Sequence, residues 1–213
     1  MASQLEVYNM ALSVVGTRSA VSAVNEQSNE ASTLNVWWAH VVDDVLRRHN
    51  WGFARRQITL ADAGTAQEGW DYKYALPQNC VKFREIYNPS GPANRIPFEV
   101  AGDDDTQGNP IQVVLTNQYQ AVGIFTKRIT TTTVWDAGFT AAVAHRLAAK
   151  VCFTLTGDGG KAQAVMADAE NVFLDAAAAD ANETSRKQDI TPDWISIRGN
   201  SGSLTLADGT VIY

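Results

Sequence analysis

The period of the apolar residues changes twice along this chain, and that constrains the fold more than any other feature. Between residues 28 and 48, Ala31, Leu34, Trp38, Val41, Val42, Val45 and Leu46 recur at three- and four-residue spacing, the stripe of an amphipathic helix. From about Gln57 the period drops to two. Trp70, Tyr72, Tyr74 and Leu76 alternate with Asp71, Lys73 and Ala75, which suits a half-buried strand. After Thr130 to Thr133 the helical spacing returns, with Phe139, Val143, Leu147, Val151 and Leu155 on one face. Helical, pleated and helical stretches in that order predict an α+β chain. The expected body is a helical bundle of two N-terminal and two C-terminal helices, with an inserted antiparallel β-sheet lobe between them.

Local punctuation refines the elements. Ser3 is placed to cap a first helix through Leu5, Tyr8, Ala11, Leu12 and Val15, and Gly16 to stop it. Ser28, followed by Asn29 and Glu30, starts the second helix, which Asn50 and Gly52 end near Trp51. Further strands are expected at Val81 to Tyr87, Phe98 to Val100, Ile111 to Leu115 and Ala121 to Lys127, all in one sheet. Turns are expected at Asn88-Pro89-Ser90-Gly91-Pro92, at Gly102-Asp103-Asp104-Asp105 and at Thr116-Asn117-Gln118. Asp136 caps the third helix, and Gly157-Asp158-Gly159-Gly160 breaks it from a fourth that carries Ala162, Val165, Met166, Ala169, Val172, Phe173 and Ala176. The glycine-rich turn makes the last two an antiparallel hairpin, and the alanines allow close approach. The predicted division is 1–56 with 130–185 as the bundle, 57–129 as the lobe, and 186–213 as an extended C-terminal arm. That arm has no helical period, yet Trp194, Ile195, Ile197 and Leu204 to Tyr213 make it too apolar for a simple disordered tail. Its apolar side chains need a partner surface, and another subunit would supply one.

The composition excludes several function classes. At 213 residues and 45% hydrophobic, the chain carries enough apolar material for one domain, or one with an insertion. No run approaches the ~20 apolar residues of a membrane helix, so no membrane partner is expected. The start, Met1 to Glu6, lacks the basic and apolar regions of a secretory signal. The expectation is a protein that stays where it is made unless an assembly carries it out. A net charge of −6 argues against nucleic-acid binding, and the only basic concentration is Arg47, Arg48, Arg55 and Arg56. Such a surface suits a wall past which DNA slides without sticking. Cys80 and Cys152 form neither a zinc signature nor a disulfide framework, and both read as reduced core thiols.

Motifs that carry chemistry are weak. Gly157-Asp158-Gly159-Gly160-Lys161 is too short for a phosphate-binding loop and is followed by Ala162 in place of a hydroxyl residue. Asp103-Asp104-Asp105 lacks calcium-loop spacing and reads as a solvated hairpin loop. His40 and His145 fall in predicted helices, and His49 is the only other histidine. A catalytic triad assembled only in space stays open, although no GxSxG elbow is present. Glycoside hydrolysis needs a pair of carboxylates across a cleft, and nothing singles out a pair among Glu68, Asp71, Glu85 and Glu99. The expectation is therefore a non-enzymatic chain with no catalytic residue, cofactor or metal. The tryptophans say more. Trp37 and Trp38 are adjacent on a helix and point about 100° apart, so one can enter the core while the other faces a neighbouring molecule. Trp194 is an aromatic anchor of the interface type. The candidate partner interface is Trp37, Trp194, Ile195, Ile197 and Tyr213, with an intramolecular core role open for the tryptophans.

The order of these features resembles the tail tubular protein A, or head-to-tail adaptor (gatekeeper), family of short-tailed bacteriophages. Tyr8-Asn9-Met10-Ala11-Leu12-Ser13-Val14-Val15-Gly16 is similar to that family's N-x-A-L-x-x-I-G first helix. Ala31 to Arg48 resembles its long second helix, followed by the exit motif Asn50-Trp51-Gly52-Phe53-Ala54. Tyr74-Ala75-Leu76-Pro77 and the strand ending at Ile86 resemble its sheet entry, and Phe139 to Ala181 its closing helices. The likeness covers roughly residues 5 to 187. It implies a structural virion protein, located in the tail or neck and in host cytoplasm during assembly. Such a protein forms a closed homo-oligomeric ring, commonly twelve-fold, docked on the portal protein with the tail nozzle protein below, and packaged DNA passes through without specific binding. The resemblance carries over no active-site residue. Two phage alternatives stand beside it, a tail-associated peptidoglycan hydrolase and a neck or tail-completion protein of a long-tailed phage. A third is a generic helical protein with no viral role.

Overall fold

Ser3 receives the Glu6 amide on its hydroxyl while the Glu6 carboxylate accepts the Ser3 amide, a reciprocal capping box that starts α1 (Gln4–Val15). Gly16 closes it in the left-handed conformation at φ 71°, where a side chain would be strained. α2 (Asn29–Arg48) starts on the Ser28 hydroxyl, and α3 (Ala137–Thr156) on the Asp136 carboxylate. Gly157, again left-handed, ends α3 and leaves only Asp158 before α4 (Gly159–Glu183). The break expected over four residues is thus shorter, with Gly159 and Gly160 already helical. These elements come from a computed structural model that describes residues 2–89, 95–104 and 108–183, and the backbone of 204–205 and 211–212.

The four helices form one bundle in which α3 is the shared element, packed against α1, α2 and α4. Its composition explains that place. Ala142, Ala144, Ala148 and Ala149 are buried among Phe139, Val143, Leu147 and Val151, so neighbours can approach from several sides. The core runs on through an aromatic chain. Tyr8 meets Trp38 edge-on with ring centres 5.3 Å apart, Trp38 stacks on Trp135 at 5.8 Å, Trp135 meets Phe139 at 4.8 Å, and Phe139 meets Trp51 at 5.0 Å. Trp51 is fully buried, and its indole N–H donates to the Val45 carbonyl at 2.9 Å, which satisfies its one polar atom.

Between α2 and α3 the chain makes two three-stranded antiparallel sheets where the sequence suggests one. The strands are β1 (Arg55–Thr59), β2 (Tyr72–Ala75), β3 (Cys80–Ile86), β4 (Phe98–Asp104), β5 (Pro110–Thr116) and β6 (Val122–Lys127). The orders are β1-β6-β3 and β2-β5-β4. The sheets share a core of Leu60, Tyr74, Phe83, Ile86, Val114, Ala121 and Phe125. Each central strand is covered on both faces: β5 buries Val113, Val114, Leu115 and Thr116 in succession, and β6 buries Gly123, Ile124, Phe125 and Thr126. Gly123 is required there, since a Cβ would fall 2.7 Å from Phe83 and 2.8 Å from Leu60.

Two strand expectations need correcting. β1 has no counterpart in the sequence reading, because all five of its residues are exposed and Ile58 is its only apolar side chain, so no alternation marks it. Gly102-Asp103-Asp104 is the end of β4 rather than a turn, with Gly102, Asp103 and Asp104 opposite Gln112, Ile111 and Pro110. The partner strand outweighs the poor strand propensity of Gly and Asp, and Asp103 gains the Lys73 ammonium at 3.0 Å.

Thr184–Tyr213 forms a second unit. Within it β7 (Leu204–Thr205) pairs antiparallel with β8 (Val211–Ile212), so the stretch read as an extended arm contains a short β pair. No helix among the described residues is long and apolar enough to cross a membrane.

Candidate functional site

The end of α2 is where bundle and β lobe are tied together, and arginines make the joint. Arg84, on β3, sends one guanidinium nitrogen to the carbonyls of Leu46 (3.2 Å), Arg47 (3.1 Å) and His49. These carbonyls lie at the C-terminal end of α2, where helices leave acceptors unpaired and the macrodipole favours a cation. The Arg84 Nε donates to Thr126 Oγ1 of β6 at 2.9 Å, so one side chain spans sheet and helix. Burial presses its pKa below the ordinary arginine value, with the Arg47 charge adding to the effect. Arg47 returns a bond to the Val81 carbonyl at 2.9 Å, and Arg128, just past β6, chelates Asp43 of α2 through both carboxylate oxygens, one contact at 2.7 Å.

A second tie reaches α4. Asp180 accepts the His49 imidazole Nε2 at 2.8 Å and the Gly52 amide at 3.0 Å, while the His49 ring lies edge-on to Trp51 at 4.9 Å. The segment from His49 to Ala54 is therefore held from the core by Trp51, from α4 by Asp180 and from the sheet by Arg84 on the His49 carbonyl. Asn9 performs a similar service at the other end of the bundle. Its amide bonds both the N–H of Val21 (2.9 Å) and its C=O (3.1 Å), pinning the link between α1 and α2.

The four basic residues that form the one basic concentration in the sequence are each engaged within the chain. Arg47 binds Val81, Arg48 binds Glu170, Arg55 lies 3.8 Å from Glu85, and Arg56 donates to the Phe53 and Arg55 carbonyls. Arg48 also covers the Phe173 ring at 4.1 Å. Its hydrogen bond holds the Glu170 carboxyl below the usual glutamate range.

Other sequence candidates have ordinary surroundings. His145 Nδ1 meets Asp168 of α4 at 2.7 Å, so two of the three histidines do have carboxylate partners, supplied by helix packing and invisible to sequence spacing. Among the described residues no group of three His, Cys, Asp or Glu side chains gathers as a metal site. Asp103 is committed to Lys73, and Glu85 faces Arg55. Burial pushes the Cys80 thiol up to about 11, against the pull of Arg47 and Arg84, which leaves it protonated and unreactive at neutral pH. Cys80 is half-buried beside the lobe core, and Cys152 is fully buried in the bundle. A cleft of about 180 Å³ between Trp38, Val42, Arg128 and Trp135 is smaller than the ~300 Å³ at which small-molecule sites begin.

Of the five candidate interface residues, Trp37 can be placed; Trp194, Ile195, Ile197 and Tyr213 lie outside the described residues. Neither of the adjacent tryptophans is fully buried or fully exposed. Trp38 belongs to the aromatic chain, whereas Trp37 lies at the rim with the Lys150 ammonium 5.5 Å from its ring centre. Val36 beside it is 67% exposed, and Phe153, one turn past Lys150, is 61% exposed. Sequence reasoning missed Arg84, Arg128 and Asp180 because each reads locally as a solvated charge. Only contacts more than 30 residues distant give them their roles. No known protein-family model and no curated protein matches this chain.

Proposed function

We propose that this chain is a structural component of a bacteriophage virion, a ring-forming adaptor that joins the portal to the tail nozzle and continues the DNA channel. The observation that carries the reading is architectural. Two N-terminal and two C-terminal helices close into one bundle, and the β insert is rooted on the end of α2 through Arg84, Arg47 and Arg128. That is the arrangement the tail tubular protein A resemblance implies, and the residues that carry the resemblance have structural work to do. Ala11 and Leu12 are core, Asn9 pins the following link, Gly16 caps α1, and Trp51 sits at the centre of the aromatic chain.

A lobe tied at several points to the bundle moves with it as one piece, as a part that transmits docking from portal to nozzle must. In this reading binding energy comes from apolar anchors, Trp37 in the body and Trp194, Ile195, Ile197 and Tyr213 in the C-terminal segment, surrounded by polar rims. The acidic balance of −6 keeps the channel wall from gripping DNA. The decisive experiment is electron microscopy of the protein mixed with its cognate portal. A uniform extra layer on portal rings is expected, and its repeat count gives the stoichiometry. Bare portals in the presence of folded protein would overturn the reading.

A further inference from the structure

A β-sheet edge that is neither paired nor covered is a template for another strand. The lobe has four edge strands, and two are covered. Residues 61–63 run along the outer side of β2, with Ala63 N donating to Lys73 O at 2.9 Å and Ala75 N to Ala61 O at 2.8 Å. The end of α2 lies against β3 through Arg47 and Arg84. The outer edges of β1 and β4 remain. Among the described residues no hydrogen bond reaches the backbone amides of Gln57, Thr59 or Val100, and β4 touches β3 at its start, where the Phe98 and Phe83 rings are 5.0 Å apart. Two side chains lie on the β4 edge among the described residues: the Asp103 carboxylate accepts the Asp104 amide at 2.8 Å, and the Gln67 amide reaches the Gly102 carbonyl at 3.5 Å, a weak contact that an incoming strand amide would replace.

The ladders fix which groups face outward. Leu60 N donates to Ala121 O, so even-numbered residues of β1 face β6 and Arg55, Gln57 and Thr59 face out. Leu76 N donates to Gln112 O, so even-numbered residues of β5 face β2; the odd ones face β4, which turns Val100, Gly102 and Asp104 outward. The charges on the two edges are opposite, and their order matters. β1 begins with Arg55-Arg56 and β4 ends with Asp103-Asp104. Antiparallel alignment sets Arg55 opposite Asp104, Arg56 opposite Asp103 and Ile58 opposite Ala101. The bonded pairs are then Gln57 with Gly102 and Thr59 with Val100. Parallel alignment of the same residues would set the arginines against Val100 and Ala101 and lose both charge pairs.

We propose that copies of this chain join edge to edge, β1 of one copy against β4 of the next in this register, making a six-stranded sheet across each subunit boundary. The two edges are different surfaces, so the contact is heterologous and repeats around a ring when its rotation closes. The inference rests on the ring reading for closure but not for the pairing. A Cβ at Gly102 would meet nothing within 4 Å, and all of β1 is exposed, so both edges accept substitutions without disturbing the core.

The test uses full-length Gln57→Cys and Gly102→Cys proteins, distinguished by a tag, mixed and oxidised. The expected product is the mixed disulfide dimer, at least five-fold above either like-with-like dimer. Arg55→Glu added to the Gln57→Cys chain should cut that yield several-fold, and Asp104→Arg added to the Gly102→Cys chain should restore it. Circular dichroism melts of each variant check folding. A mixed dimer no more abundant than the like-with-like dimers, from folded proteins, overturns the proposal and leaves the charges as edge guards or as a landing strip for a different protein. The outcome is separable from portal binding, since a ring layer could form through other contacts and edge pairing could occur in a protein that ignores portals.

Discussion

The bundle and the β lobe solve the burial problem in different ways. The bundle is held from its centre. α3 is buried on most of its circumference, and one aromatic chain from Tyr8 to Phe173 links all four helices. The lobe has a smaller core between two sheets, with β1 exposed along its whole length and β4 half exposed. Its orientation comes from polar ties to α2. The bundle is therefore built to be a rigid body, and the lobe to present edges. A fold that concentrates apolar burial in one region can leave strand edges open in another, because its stability does not depend on them.

The largest effect that would sharpen this contrast is Trp51→Ala. It empties the centre of the aromatic chain and should cost about 4 kcal/mol, the range for a buried aromatic, read by urea denaturation. A loss under ~1 kcal/mol would show that the bundle is not held from this point. Next is Arg84→Ala, expected to cost about 2 to 3 kcal/mol because it leaves the α2 carbonyls without their charged donor. Amide exchange should quicken at the end of α2 and in β3 while α3 and α4 stay protected. Uniform quickening would mean that lobe and bundle are not separable. Within the lobe, Gly123→Ala should cost about 1 to 3 kcal/mol by overpacking Phe83 and Leu60, with the same local exchange signature in β1, β3 and β6.

The smallest effect is on pH dependence. The Lys73 hydrogen bond holds Asp103 below its ordinary pKa in the lobe, and Arg48 does the same for Glu170 in the bundle. A carboxyl depressed in the folded state contributes stability above its unfolded pKa of about 4 and loses it as pH falls through the folded value. Arg48→Met and Lys73→Met should each flatten the acid limb of a thermal-melt series below about pH 4.5. An unchanged limb in both would show that these pairs contribute nothing measurable.

Much of the fold is legible in single residues. Ser3, Gly16, Ser28, Asp136 and Gly157 fix helix ends through contacts within a few positions, and local chemistry suffices to read them. The apolar stripes of α2 and α4 likewise announce helices that bury one face, and the alanines beside the α3 stripe let it bury more than one. β5 and β6 are visible as apolar runs, but the division into two sheets is not, since period reports that a strand exists and not which strand lies beside it. The candidate site was hardest to see. Arg84 in Lys82-Phe83-Arg84-Glu85 looks like any solvent-facing charge, and Asp180 like one more acid on α4. Trp37 was legible as a rim residue only in that it adjoins Trp38.

What the sequence determined by itself is the four helices, most of the strands and their order, because helix caps and hydrophobic periodicity act over one to four residues; β1, with no apolar alternation, escaped it. What only the tertiary structure decided is partnership: which carbonyls Arg84 caps, which acids His49 and His145 face, and which strand edges stay uncovered. Those depend on groups 23 to 131 residues apart, brought together by packing whose energetics no local pattern encodes.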